Sequence, residues 1–170
     1  KAKYRLKAQE YTQAGNFPKA RVALRNVLKI DPKDSEAYFL YAQVEEKEKN
    51  WRHAFAHYQQ VLELDPGHER ALVKLGKFYL QGRLDEKAHE TADKLLRLYP
   101  GHVSARAIKA ALLAADGKLT EATAAGEVLI KQVPTEPDAA ILLATLYSLQ
   151  NAPHRVEAVL KKAVEAHPRD

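Results

Sequence analysis

The chain has 170 residues, 46% hydrophobic and 29% charged, a balance that packs a core in water and carries too much charge for a membrane bundle. It holds no Cys, which excludes disulfide staples, thiolate metal sites and cysteine nucleophiles, and Ser35, Ser104 and Ser148 stand in no nucleophile motif. The net charge of +5 is concentrated in residues 1–34, where nine basic residues face three acidic ones. The longest uncharged run, Ala139 to Pro153, is shorter than the roughly 20 apolar residues of a membrane span, and Lys1-Ala2-Lys3-Tyr4 opens no signal peptide. No Met occurs, so the chain reads as a piece of a longer protein.

Pro32, Pro66, Pro100, Pro134 and Pro168 recur every 34 residues and divide the chain, without gaps, into repeats 1–34, 35–68, 69–102, 103–136 and 137–170. Within each repeat, apolar or small residues at positions 4, 7, 8 and 11 form one helical stripe, and those at 20, 24, 27 and 28 form a second. In chain order the first helix of each repeat ends at a turn signal: Gly15-Asn16, Lys49-Asn50, Gly82-Arg83, Asp116-Gly117 and Asn151-Ala152. Pro18 and Pro153 suit the first turn of a second helix, and the periodic proline stops that helix. Position 8 is small throughout (Ala8, Ala42, Gly76, Ala110, Ala144), and so is position 20 in the first four repeats (Ala20, Ala54, Ala88, Ala122), which lets backbones approach. Glu45 breaks the apolar pattern at position 11, and Gly126 stands where a large residue is usual. Each repeat is therefore expected to be an antiparallel helical hairpin.

Tyr4, Ala8, Tyr11, Gly15, Ala20, Leu24, Val27 and Asp31-Pro32 in the first repeat, with their in-phase equivalents in the others, resemble the tetratricopeptide repeat. The resemblance implies an all-α, right-handed α-solenoid of five hairpins and ten antiparallel helices in a single array over 1–170, acting as a non-catalytic protein–protein interaction scaffold. Phrases such as Gly15-Asn16-Phe17-Pro18-Lys19-Ala20 are similar to bacterial envelope proteins and lipoproteins of exopolysaccharide and PEP-CTERM systems. That similarity implies a periplasmic setting and an alternative role as an accessory module of exopolysaccharide assembly or export, contacting an anionic polymer or nucleic acid.

At about 100° per residue, positions 2, 5, 9, 12 and 13 point away from the stack and line the concave groove. The candidate partner-binding residues are Arg5, Gln9, Phe39, Gln43, Arg70, Lys74, Lys77, Ala111, Ile141 and Thr145. The groove reads as polar in its first three repeats and as an alanine floor in its last two. A peptide or protein segment is the expected occupant. Five family clamp positions for a carboxylate fall on Arg5, Gln9, Leu40, Arg70 and Lys74, and Leu40 departs from the Asn usual there.

No catalytic residue, cofactor site or metal site is expected. His53 and His57 share a helix face at i, i+4 without a third ligand. His68 and His102 read as turn residues, and Trp51 as an inter-helix plug. Lys19, Arg21, Arg25 and Lys29 and the Glu45–Lys49 stretch read as solvated faces. Nucleic acid is not the expected partner, no membrane span is expected in this segment, and self-association is expected through the fifth repeat. Its uncovered edge is expected to carry Ile141, Leu142, Leu146, Val159 and Val164.

Overall fold

The computed structural model describes residues 1–166. Among these the chain forms ten helices and no strand: α1 (Ala2–Gln13), α2 (Phe17–Ile30), α3 (Ser35–Lys47), α4 (Trp51–Leu64), α5 (Glu69–Gln81), α6 (Asp85–Leu98), α7 (Val103–Ala115), α8 (Leu119–Gln132), α9 (Pro137–Leu149) and α10 (Pro153–Ala166). The second helix of every hairpin begins 34 residues after its predecessor, at 17, 51, 85, 119 and 153. Two compact units are present, Lys1–Leu75 and Gly76–Asp170. No described helix is long and apolar enough to cross a membrane.

The hairpin turns obey one backbone rule. The residue at repeat position 15 is left-handed in all five: Gly15 (φ 71°), Lys49 (62°), Arg83 (56°), Gly117 (81°) and Asn151 (55°). The following amide, that of Asn16, Asn50, Leu84, Lys118 or Ala152, donates back to the carbonyl five residues earlier at 2.8–3.0 Å. This closes a Schellman-type helix end, which a glycine satisfies without strain. In the third repeat Gly82 lies one residue too early, so Arg83 takes the strained conformation. First helices are capped at the last position of the preceding repeat: Asp34 accepts from the Ala37 amide (2.9 Å), and the Nδ1 atoms of His68 and His102 accept from Ala71 (3.2 Å) and Ala105 (3.4 Å).

In residues 1–75 the core gathers Ala8, Ala20, Leu24, Val27, Ala37, Leu40 and Val44, with Phe17 and Tyr11 packed against it. In residues 76–166 Ala88, Ala92, Ile108 and Leu112 form one cluster, and Ala107, Ala110, Ala122, Leu129, Leu142 and Leu146 another. Small residues are where helices touch. A methyl on Gly76 would lie 2.8 Å from Cδ1 of Ile108. Position 3 is an alanine in repeats two to five, and Ala37, Ala71, Ala105 and Ala139 are all fully buried.

Several sequence expectations change. Glu45 is no exposed break but is buried, accepting from Arg21 Nε at 2.9 Å and Asn50 Nδ2 at 2.8 Å, while Arg21 also pairs with Glu48. Arg21, Glu45 and Glu48 thus form a charge network across α2 and α3, whereas Lys19, Arg25, Lys29, Lys47 and Lys49 are exposed. Trp51 is half exposed instead of plugging the hairpin, although Phe17 and Leu119 at the same position do pack against cores. The space beside Gly126 is filled by Leu143 and Leu146, each 3.3 Å from where its Cβ would be. Leu142 and Leu146 lie on the buried side of α9 and Val159 is half-buried, so among the described residues the exposed large apolar side chains of the fifth hairpin are Ile141, Leu149, Leu160 and Val164.

Candidate partner-binding face

In residues 1–75 the groove cations Arg5, Arg70 and Lys74 are already matched. Arg5 pairs with Asp34, which Lys1 Nζ also approaches at 3.4 Å. Burial works to raise the Asp34 pKa, but the Ala37 amide, Arg5 and Lys1 outweigh it and hold the carboxyl below its ordinary 3.8. Arg70 Nη2 donates to both carboxylate oxygens of Glu36, at 2.7 and 2.8 Å, and its guanidinium lies 4.3 Å over the Phe39 ring. His68 stacks on the same ring at 5.0 Å. Lys74 Nζ donates to Glu46 at 2.7 Å, and the other Glu46 oxygen accepts from the hydroxyl of fully buried Tyr58 at 2.7 Å. Burial, with Glu46 as acceptor, drives the Tyr58 pKa far above its ordinary 10.

These pairings change what the positions can offer. Phe39, expected to face the groove, is 1% exposed, because an aromatic ring escapes water under the Arg70 guanidinium and against Tyr58. Leu40, the departing clamp position, is 6% exposed and belongs to the core. Gln9 and Gln43 are half-buried. A ligand carboxylate arriving here meets cations whose charge a neighbouring carboxylate has already compensated.

Residues 76–166 hold a different surface. An open trough of about 390 Å³ runs between α5, α7 and α9. Ser104, Ala107 and Ala111 of α7 form its floor, Lys77 and Leu80 of α5 one wall, and Asp138, Ile141 and Thr145 of α9 the other. Apart from Ile108 and Leu142, every lining residue stands at a position that repeat arithmetic assigns to the groove. Candidate residues Lys77, Ala111, Ile141 and Thr145 therefore come together. Ile141 is 59% exposed, and the Thr145 hydroxyl is engaged by the Ile141 carbonyl at 2.8 Å, which leaves its methyl to the trough.

Lys77 Nζ donates to Asp138 Oδ1 at 2.7 Å across 61 residues of sequence. Ala107 and Ala111 of α7 are too short to intervene. Burial pushes the Asp138 pKa up, but hydrogen bonds from Lys77 and Ser104 dominate and hold it below 3.8. Its place in the first turn of α9 adds the favourable end of the helix dipole. Asp138 stands at groove position 2 of the fifth repeat, and no spacing rule in the sequence links it to Lys77.

His53 and His57 diverge: His53 is mostly exposed, whereas His57 packs 4.5 Å from the Tyr41 ring. Among the described residues no three His, Cys, Asp or Glu side chains converge as metal ligands would.

Two sequence-family profiles, both described as tetratricopeptide repeat, match residues 5–69 and 45–112. The chain is a tetratricopeptide repeat protein. Solved structures agree: PilW, a type IV pilus biogenesis factor, aligns with a TM-score of 0.74 at 24% identity, covering 96% of this chain and 76% of PilW. Pseudomonas aeruginosa PilF aligns at 0.72 and 22% identity over 99% of this chain and 77% of its own. A thermophilic TPR protein of Thermus thermophilus, TTC0263, aligns at 0.73 and 22% identity over 98% and 90%. At such identities the likeness establishes the fold, an all-α helical repeat solenoid. No curated protein matches the chain by sequence. Tetratricopeptide repeats are generally non-catalytic interaction modules, and this fold supports a protein or peptide partner.

Proposed function

We propose that this tetratricopeptide repeat protein is a non-catalytic scaffold that captures a segment of a partner protein in the trough between α5, α7 and α9. The observation that carries the reading is an uncovered, mostly apolar concavity floored by Ala107 and Ala111 and flanked by exposed Ile141, whose charged groups are the Lys77–Asp138 pair at its edge and whose neutral polar groups are Gln81, Ser104 and Thr145. Concave, mostly apolar sites with a few placed polar groups are the usual form of a binding pocket. The pairing of Arg5, Arg70 and Lys74 with internal carboxylates disfavours the alternative of an anionic polymer or nucleic acid, since such ligands gain their affinity from unmatched cations.

A random peptide library selected against the protein tests the reading. Selected sequences are expected to share aliphatic residues, and Ala111→Phe, which fills the trough from its half-buried floor, is expected to weaken the best peptide at least tenfold in titration calorimetry while circular dichroism is unchanged. Equal affinity for Ala111→Phe and the parent removes the trough as the binding site.

A further inference from the structure

We propose that the Lys77–Asp138 pair is a selectivity bar that makes the trough take an uncharged internal stretch of a partner chain, bearing an aliphatic side chain, and refuse a free C-terminal carboxylate. The inference rests on the trough reading above and adds the ligand class to it.

The pair joins α5 to α9 over the Ser104 end of the α7 floor. Lys77 Nζ has three N–H donors and spends one on Asp138 Oδ1 at 2.7 Å, while the Asp138 carboxylate retains lone pairs beyond those taken by Lys77 and Ser104. The edge of the trough therefore presents a donor and an acceptor side by side. A peptide unit presents the complementary set: its carbonyl can accept from Lys77 while an adjacent amide N–H donates to Asp138. Neither group gives up its existing partner, so no buried charge is left unmatched.

A chain end fares worse. Its carboxylate can reach Lys77 only by drawing close to Asp138, whose negative charge repels it, or by displacing Asp138 and leaving that partly buried carboxylate without its cation. Discrimination thus comes from a repulsive element built beside an apolar contact surface. Ala107, Ala111 and Ile141 supply that surface and are indifferent to the ligand's charge. The same logic predicts a reversal: with the Asp138 charge gone, Lys77 becomes an unmatched cation at the mouth of an apolar trough.

The test uses N-acetyl-leucinamide and N-acetyl-leucine, which differ only in the neutral amide or the carboxylate at one end, titrated near pH 7 into methyl-labelled protein. Shifts of the Ala111 and Ile141 methyls are read by nuclear magnetic resonance. The parent is expected to bind the amide at least tenfold more tightly than the carboxylate, and Asp138→Asn is expected to invert that preference. Lys77→Gln, which keeps Asp138 and its place in α9, provides a second variant should Asp138→Asn fail to fold, and is expected to retain the amide and reject the carboxylate still more strongly. Equal binding of the two probes to the parent, at the same methyls, overturns the selectivity while the trough reading stands. Failure of both probes to move these methyls in the parent overturns the trough reading and this inference together.

Discussion

Residues 1–75 and 76–166 build the same hairpins from the same repeat period, yet their groove faces use opposite chemistry. In the first region Arg5, Arg70 and Lys74 lie against Asp34, Glu36 and Glu46, and the aromatic ring of Phe39 is hidden under Arg70. In the second, Ser104, Ala107 and Ala111 recede and leave an apolar trough with a single charge pair at its edge. The difference teaches that in a fixed repeat geometry the length and charge of the side chains along the groove face decide whether that face is sealed by ion pairs or left open. Long polar residues reach a carboxylate on a neighbouring first helix or at its N-cap and close the surface, whereas alanines cannot.

The same contrast extends into the cores, where it can be broken most sharply. Leu24 and Gly126 occupy one repeat position. Leu24 is fully buried, while the space beside Gly126 is already filled by Leu143 and Leu146. Leu24→Ala is expected to cost about 3 kcal/mol through lost burial and a residual cavity. Gly126→Leu, although it restores the residue type of the first repeat, is expected to cost about 2 kcal/mol through overpacking. Denaturant titrations followed by circular dichroism check both, and a stabilising Gly126→Leu would show that α9 repacks freely.

Glu45→Ala comes next, with an expected loss of about 2 kcal/mol. It strips the buried partner from Arg21 and Asn50, and the partial exposure of Arg21 keeps the cost below the roughly 3–5 kcal/mol of a fully buried pair. The single tryptophan, Trp51, lies in the same region and reports its unfolding by fluorescence. Glu45→Gln, which retains an acceptor for Asn50, is expected to lose about half as much.

Acid should weaken the first region in two stages. Burial against Tyr38 and Tyr41 pushes the His57 pKa below its ordinary 6.5, so the unfolded chain holds that proton more tightly and stability declines as pH falls through 6.5. Asp34 and Glu45 titrate below their ordinary 3.8 and 4.5 because amide, arginine and asparagine donors outweigh their burial. Their contribution is complete above those values and fades as pH drops through them toward the depressed ones. His57→Phe is expected to flatten the first decline and leave the second, as read from Trp51 unfolding curves between pH 8 and pH 3.

The smallest expected effect is a gain. Lys49→Gly and Arg83→Gly relieve left-handed backbone at the turns of the second and third hairpins. Each is expected to stabilise by about 0.5 kcal/mol, the relief of strain being partly offset by the greater freedom of glycine in the unfolded chain. Thermal unfolding measures the change, and Gly15→Ala should show the reverse sign.

The hairpins, their turns and their small-residue contacts were legible in the sequence because each is a local requirement repeated at period 34: a proline stops a helix, and an alanine admits a neighbour. The buried Glu45 was not, since its partner Arg21 lies 24 residues earlier on another helix and only packing brings them together. Gly126 was misleading for the same reason: the volume it lacks is supplied by Leu143 and Leu146 from α9. On the groove face, helical phase identified nearly all the residues that line the trough. Phase alone could not tell that Phe39 is covered by Arg70 or that Lys77 finds Asp138 across 61 residues, because those outcomes depend on side-chain length and charge in the intervening helix.

The most direct test of a trough that captures a partner segment is residue-resolved mapping of the selected peptide on the full chain by amide and methyl chemical shifts. Perturbation is expected at Lys77 and Leu80 of α5, Ala107 and Ala111 of α7, and Ile141 and Thr145 of α9, with the Arg5–Asp34 and Arg70–Glu36 pairs unchanged. Shifts concentrated instead on the outward residues of α6 and α8, such as Glu90 and Ala124, with those of the trough unmoved, would contradict it.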